Sequence, residues 1–301
     1  SQIEVERWTQ LDRQLFRDAC KTGVVDVAPE AGRQSDAYSV EKVGRLRKLE
    51  SLGLASEIGP GQWMIDDKAE ATMRELGERG DIIKRMHRAL TDRGIERGSA
   101  NFVLAAESLD APIVGRLVAR GLDDELKGTA YAVVDGVDGR SHHIKLSDLD
   151  AAGDGAPGSI VELRKFDDAR GQRRVALAVR SDLDLGGQVN ANGATWLDRQ
   201  AIAREPVATS EAGFGAEVRQ AMEKRAEHLI GQGLAERRGS SITFTRNLID
   251  TLRRRELEAV AGKLAMETGQ PFKTAGTGEY VSGEYRRRLS LASGRFAMID
   301  D

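Results

Sequence analysis

Leu49-Glu50-Ser51-Leu52-Gly53-Leu54-Ala55 returns in the second half of the chain as Leu229-Ile230-Gly231-Gln232-Gly233-Leu234-Ala235. Both copies spell L-x-x-x-G-L-A, which reads as the last turn of a helix, a glycine exit and the start of a strand. Ahead of the first copy, Val40, Val43, Leu46, Leu49 and Leu52 lie on one face of a helix, with Ser39 as its N-cap and Gly53 as its terminator. Lys42, Arg45 and Lys48 form a second row beside that face, so one side seeks a core while its neighbour presents cations. Behind the first copy, Gly53 to Ile58, then Gly59-Pro60-Gly61, then Gln62 to Ile65 read as strand, tight turn, strand. The second copy runs the same way through a turn-rich Arg238 to Ser240 and an apolar Ile242 to Phe244. Arg7 to Ala19 supplies an earlier packing helix, and Asp67 to Gly77 a closing one. The order predicts two winged-helix-like units, at 1–79 and 196–268.

Between them the pattern changes. Residues 80–127 read as a helical connector, broken near Gly94, with Pro112 beginning a new helix. Over 128–181, short runs around Tyr131, Ile144, Val161 and Ala176 carry β character at close spacing, which predicts a small antiparallel β-barrel of SH3-like or OB-like type. Asp182 to Gly193 reads as a linker, and 269–301 as a basic segment followed by the start of a truncated β element. The fold class expected is α+β, two winged-helix-like units flanking a barrel, with helical linkers.

Composition narrows the function classes. The 301 residues exceed the usual size of one compact core. They are 40% apolar and 31% charged, as in a folded soluble protein, and no apolar run approaches the roughly 20 residues of a membrane helix. Ser1 in place of Met, and a basic, apolar leader missing, predict an internal starting point and no signal peptide. A lone cysteine, Cys20, fits a reducing, cytoplasmic setting. The net charge of −3 excludes a uniformly basic nucleic-acid coat but leaves room for local basic surfaces.

Candidate chemistry is sparse. His142 and His143 are adjacent on a predicted strand and point to opposite faces, so they do not converge on one metal; His87 and His228 are distant. Gly136-x-x-Gly139 and Gly153-x-Gly155 lack the strand-to-helix setting of a phosphate loop. Cys20 reads as a packed apolar residue, Trp63 as core, and Tyr280 and Tyr285 as structural or stacking groups. Basic residues remain. In a winged helix the helix before the hairpin enters the major groove and the hairpin lies along the backbone. The DNA-contact candidates are Lys42, Arg45, Arg47 and Lys48 in the first unit, Arg219, Lys224, Arg225, Arg237 and Arg238 in the second, and Arg286, Arg287 and Arg288 in the tail.

Four stretches carry a family resemblance: Gly77 to Arg88 (GERGDIIKRMHR), Gly115 to Leu122 (GRLVARGL), Ala130 to Arg140 (AYAVVDGVDGR) and Tyr285 to Asp301 (YRRRLSLASGRFAMIDD). They resemble VirD2-like relaxase/mobilization nucleases of conjugative plasmids and integrative elements, in the region after the nuclease domain. The resemblance implies a parent protein whose amino-terminal domain nicks the transfer origin with a tyrosine and a histidine-bound metal, and which leaves through a type IV secretion channel. No catalytic residue carries over to this chain, and no cofactor: the divalent metal belongs to the nuclease domain. The implied partners are transfer-origin DNA, the type IV coupling protein and relaxosome accessory proteins, with no membrane. The leading expectation is a non-catalytic region that binds transfer-origin DNA or presents the relaxase for secretion. The alternatives are a protein-interaction scaffold that does not bind DNA, and an RNA-binding protein using the barrel.

Overall fold

The computed structural model describes residues 2–19, 23–27, 37–104, 112–276 and 278–300. The fold is α+β, and the chain divides into two compact units, Ser1–Arg85 and Met86–Asp301.

In the first unit, α1 (Gln10–Ala19) is followed by β1 (Val24–Asp26), α2 (Ala37–Ser51), β2 (Ala55–Gly59), β3 (Gln62–Ile65) and α3 (Ala69–Thr91), the last running on past this unit's final residue. Thr9 and Asp12 close a reciprocal cap on α1: the Thr9 N–H donates to Asp12 Oδ2, and the Asp12 N–H donates to Thr9 Oγ1. At the far end of α2, Gly53 takes φ +71°, which lets the Leu54 N–H reach the Leu49 carbonyl and the Gly53 N–H the Glu50 carbonyl. That bonding is what the first L-x-x-x-G-L-A encodes. Antiparallel strands in the order β1-β3-β2 cover a core of Leu15, Leu46, Leu49, Leu54, Trp63 and Met73, so Trp63 is core as its position implied. Two boundaries differ from expectation. Ser39 lies inside α2 rather than capping it, and α3 continues through the predicted end at 79. Gly77 does not stop α3, because its missing side chain makes room for Arg7; a Cβ there would sit 2.8 Å from that residue's own Cβ.

The second unit is built around one sheet, with strands β4 (Phe102–Val103), β5 (Val114–Asp124), β6 (Thr129–Gly136), β7 (Ser141–Leu146), β8 (Ile160–Asp167) and β9 (Arg173–Ser181) in the order β4-β7-β6-β5-β8-β9. The barrel expectation is corrected here. Among the described residues the sheet is open, its terminal strands β4 and β9 pair only inward, and β4 runs parallel to β7. Pro112 precedes a strand, β5, not a helix, so part of the expected helical connector belongs to the sheet. Val114, Leu117 and Val118 are all buried, which β pairing between β6 and β8 achieves. One cluster of the sheet gathers Leu117, Ala132, Val134, Ile144, Val161 and Leu177. A second cluster places Val114 and Ile160 against Trp196, Phe214 and Val218, so helices cover surface that a closed barrel would have turned inward.

The expected linker contains a short helix, α4 (Leu185–Val189). Next come α5 (Trp196–Ile202), α6 (Gly213–Gly231), the antiparallel hairpin β10 (Ala235–Arg238) and β11 (Ser241–Phe244), and α7 (Leu248–Thr268). Gly233 takes φ +72°, with Leu234 N–H on the Leu229 carbonyl and Gly233 N–H on the Ile230 carbonyl, repeating the bonding around Gly53. A last hairpin, β12 (Glu284–Leu291) and β13 (Gly294–Asp300), forms its own two-stranded sheet. Its turn is held by the Glu256 carboxylate, which accepts the Ala292 and Ser293 N–H groups at 2.9 Å each.

Candidate nucleic-acid interface

Two of the expected DNA contacts are not surface groups. Arg45 of α2 is fully buried, and its Nε and Nη2 donate to the two carboxylate oxygens of Asp12 at 2.8 and 2.9 Å. Nη1 donates to the carbonyls of Ile3 and Val5, and Nη2 also to that of Arg7. Arg225 of α6 repeats this bond for bond. Asp198 accepts from Nε and Nη2 at 2.8 and 2.9 Å, while the carbonyls of Val189, Ala191 and Gly193 take the remaining donors. All five guanidinium N–H groups are satisfied in each case, and no donor is left for a phosphate. The expected row of partly exposed cations therefore breaks at its centre, because a charge beside the apolar stripe was drawn inside by a prepared carboxylate. Asp12 and Asp198 are themselves held by matching caps, Thr9 with Asp12 and Thr195 with Asp198. The signal was present in Thr9-Gln-Leu-Asp-Arg-Gln14 and Thr195-Trp-Leu-Asp-Arg-Gln200, a second repeat the sequence reading missed.

The other candidates are on the surface, in different states. In the first unit Lys42 pairs with Asp18 at 2.7 Å and Lys48 with Glu6 at 3.2 Å, which leaves Arg47 as the candidate there with no ion pair among the described residues. In the second unit Arg219 meets Glu211, Arg237 meets Glu227 and Arg238 meets Glu236, while Lys224 is exposed without an ion pair among the described residues. On β12, Arg286 pairs with Asp300 and Arg288 with Asp154, and Arg287 is exposed and unpaired among the described residues. The structure thus scatters the candidates rather than gathering them on α2 and α6.

The two copies differ most in charge along the hairpin and the first turns of the closing helix. The two copies align from helix exit to closing helix, because the Asp66 N–H bonds the Leu54 carbonyl as the Thr245 N–H bonds the Leu234 carbonyl, both at 3.0 Å. On that correspondence Glu57 matches Arg237, Asp67 matches Arg246, Glu75 matches Arg254 and Leu76 matches Arg255. At each of these positions the second copy carries an exposed arginine where the first carries an acid or an apolar group. Arg246, Arg254 and Arg255 were not among the expected contacts, and none has an ion pair among the described residues. Only superposing the repeats brings them out.

A partly buried ionic cluster links α6 to the sheet. Asp135, fully buried on β6, accepts from Arg97 at 2.9 Å and Arg116 at 2.8 Å, and both arginines also reach Glu217 on α6. The Arg116 guanidinium lies 4.7 Å from the Phe214 ring centre. Sequence offered no sign of this cluster, since its members come from four separate segments.

The histidines do not converge. His142 Nε2 is 2.9 Å from Asp138 Oδ2, while His143, its neighbour on β7, stacks on Tyr131 with ring centres 5.5 Å apart. Burial raises the Asp138 carboxyl, but the bonds from His142 and the Arg140 N–H outweigh it and leave the group below its ordinary value. Among the described residues no three His, Cys, Asp or Glu side chains are grouped to hold a metal ion. Cys20 lies outside the described residues. No described helix is long and apolar enough to cross a membrane.

A family model described as "Protein of unknown function (DUF3363)" matches residues 42–170 and 162–301, a span holding most of α2, the open sheet, the second repeat and the terminal hairpin. No curated protein and no solved structure matches the chain. With the family model covering most of its length, the chain belongs to the DUF3363 family of proteins of unknown function.

Proposed function

We propose that this chain is a non-catalytic DNA-handling region of a conjugative relaxase, and that duplex DNA meets its second helix–hairpin–helix unit. The relaxase setting rests on the sequence resemblance. In both copies a helix leads through a glycine exit into an antiparallel hairpin and a closing helix, and in the first copy β1 adds to β3, an arrangement that supports a winged-helix reading. One observation carries the choice of unit: Arg237, Arg238, Arg246, Arg254 and Arg255 stand where the first copy has Glu57, Gly59, Asp67, Glu75 and Leu76. The exposed pairs Arg237–Glu227 and Arg238–Glu236 are no obstacle, since such pairs contribute about 0–1 kcal/mol and a phosphate replaces the carboxylate. Tyr131, whose ring stacks on His143, is poorly placed for the base stacking that an RNA-binding reading of the sheet requires.

The test is duplex binding by the full chain across a salt series. Replacing the five arginines by Ala is expected to flatten the log–log salt slope by roughly 4.5, at about 0.9 per lost phosphate contact. Replacing Lys42 and Lys48 by Ala should change little, because they belong to the first copy, whose hairpin and closing helix carry Glu57, Asp67 and Glu75 where the second carries arginines. An unaltered slope in the fivefold variant would overturn the proposal. It would favour a protein scaffold instead, for which the exposed Val40, Ile58 and Met64 of the first unit offer a contact surface. The chain alone is also expected to leave supercoiled transfer-origin DNA unnicked in Mg²⁺ or Mn²⁺; a covalent adduct that survives denaturation would refute the non-catalytic assignment.

A further inference from the structure

The terminal hairpin joins a row of cations to exposed aromatic rings. Tyr280, just ahead of β12, is 91% exposed and Tyr285, on β12, is 60% exposed. Arg286, Arg287 and Arg288 follow directly, all on the surface, and a bulge between Tyr285 and Arg287 interrupts the pairing with β13. Large rings left in water beside cations make a poor core but a good platform for unpaired bases, whose faces a duplex hides in its own stack. We infer that β12 and the segment leading into it bind single-stranded DNA, with Tyr280 and Tyr285 stacking on bases and Arg287 and Arg288 meeting the phosphates. Arg287 and Arg288, on opposite faces of β12, meet them from either side along the outer edge of the two-stranded sheet. This surface and ligand form are separate from the duplex contact proposed for the second unit.

The hairpin also carries an internal competitor. Asp154, in the loop between β7 and β8, accepts from Arg288 at 2.9 Å and from Arg295 of β13 at 2.7 Å. Arg295 is anchored a second time, bidentate on Asp182 at 2.7 and 2.8 Å. The two arginines hold Asp154 below the ordinary carboxylate range, Arg295 more than Arg288. Asp154 therefore occupies Arg288 as a phosphate would. Arg288 can turn to a strand while Arg295, on Asp182, and Glu256, at the turn, keep the hairpin docked.

Binding of a fluorescein-labelled oligothymidine to the full chain, read by anisotropy beside a duplex of mixed sequence, tests this. The double variant Tyr280→Ala/Tyr285→Ala should bind the single strand about thirtyfold more weakly or worse, from two stacks of about 1 kcal/mol or more each. Duplex affinity should hold, and the Phe pair at the same positions should keep single-strand binding. Arg287→Ala should lower the single-strand salt slope by about 0.7. Asp154→Asn should tighten single-strand binding by about threefold, the release of one exposed ion pair. Unchanged single-strand affinity in the tyrosine double variant would overturn the inference, as would an equal loss for duplex. Failure of the fivefold arginine variant to alter duplex binding would instead strike the second-unit proposal and leave this one standing.

Discussion

Asp12→Ala and Asp198→Ala are each expected to destabilise the unit that holds them by about 3–5 kcal/mol, the usual penalty for removing one partner of a buried ion pair. Each substitution strands a guanidinium whose two carboxylate bonds vanish in a dry interior. Each also removes the aspartate's half of the reciprocal cap on its own helix. Arg45→Lys and Arg225→Lys should fare little better, since three ammonium donors cannot serve the five positions a guanidinium fills. Apolar replacement of both partners would not be neutral either, because three main-chain carbonyls would lose their donor. Urea unfolding followed by tryptophan fluorescence separates the effects, with Trp8 and Trp63 reporting on the first unit and Trp196 on the second. Losses below about 1 kcal/mol, the range of exposed pairs, would show that the locks are not structural.

Gly215→Ala is the second large effect. In a helix this change ordinarily stabilises by about 1 kcal/mol. At Gly215 the added Cβ would lie 2.3 Å from the Val137 carbonyl oxygen and 2.5 Å from the Ser210 nitrogen, both backbone atoms. Neither can swing aside as a side chain would, so α6 must shift away from the turn between β6 and β7. The expected loss is about 2–3 kcal/mol or more. The same shift would disturb Glu217 and Arg225 farther along α6. Gly262→Ala in α7 is the control: it meets nothing within 4 Å and should gain up to about 1 kcal/mol. Thermal melts of the two variants moving in the same direction would contradict this account.

Local features were legible in sequence, and long-range ones were not. The L-x-x-x-G-L-A segments announced helix, exit and hairpin because each encodes bonds within a few residues, through Gly53 and Gly233. The strands within 128–181 were likewise readable from composition. Their failure to close was not, since closure depends on what packs against the sheet, and Trp196 and Phe214 arrive from far along the chain. Arg45 and Arg225 were misplaced for a related reason. Spacing set them beside an apolar row, but their carboxylate partners come from the preceding helix. Arg246, Arg254 and Arg255 gained meaning only against Asp67, Glu75 and Leu76 of the first copy.

The locked arginines also decide where the protein can be cut. Ile3, Val5 and Arg7 precede α1, and Val189, Ala191 and Gly193 precede α5, yet each supplies a carbonyl that a buried cation depends on. These stretches resemble disposable leaders, and a fragment begun at Trp196 would follow the periodic pattern faithfully. It would also unfold, because Arg225 would keep its carboxylate and lose every main-chain ligand. Dissection of the second repeat must therefore start upstream of Val189, and proteases should find both leaders resistant for as long as the helices behind them stand.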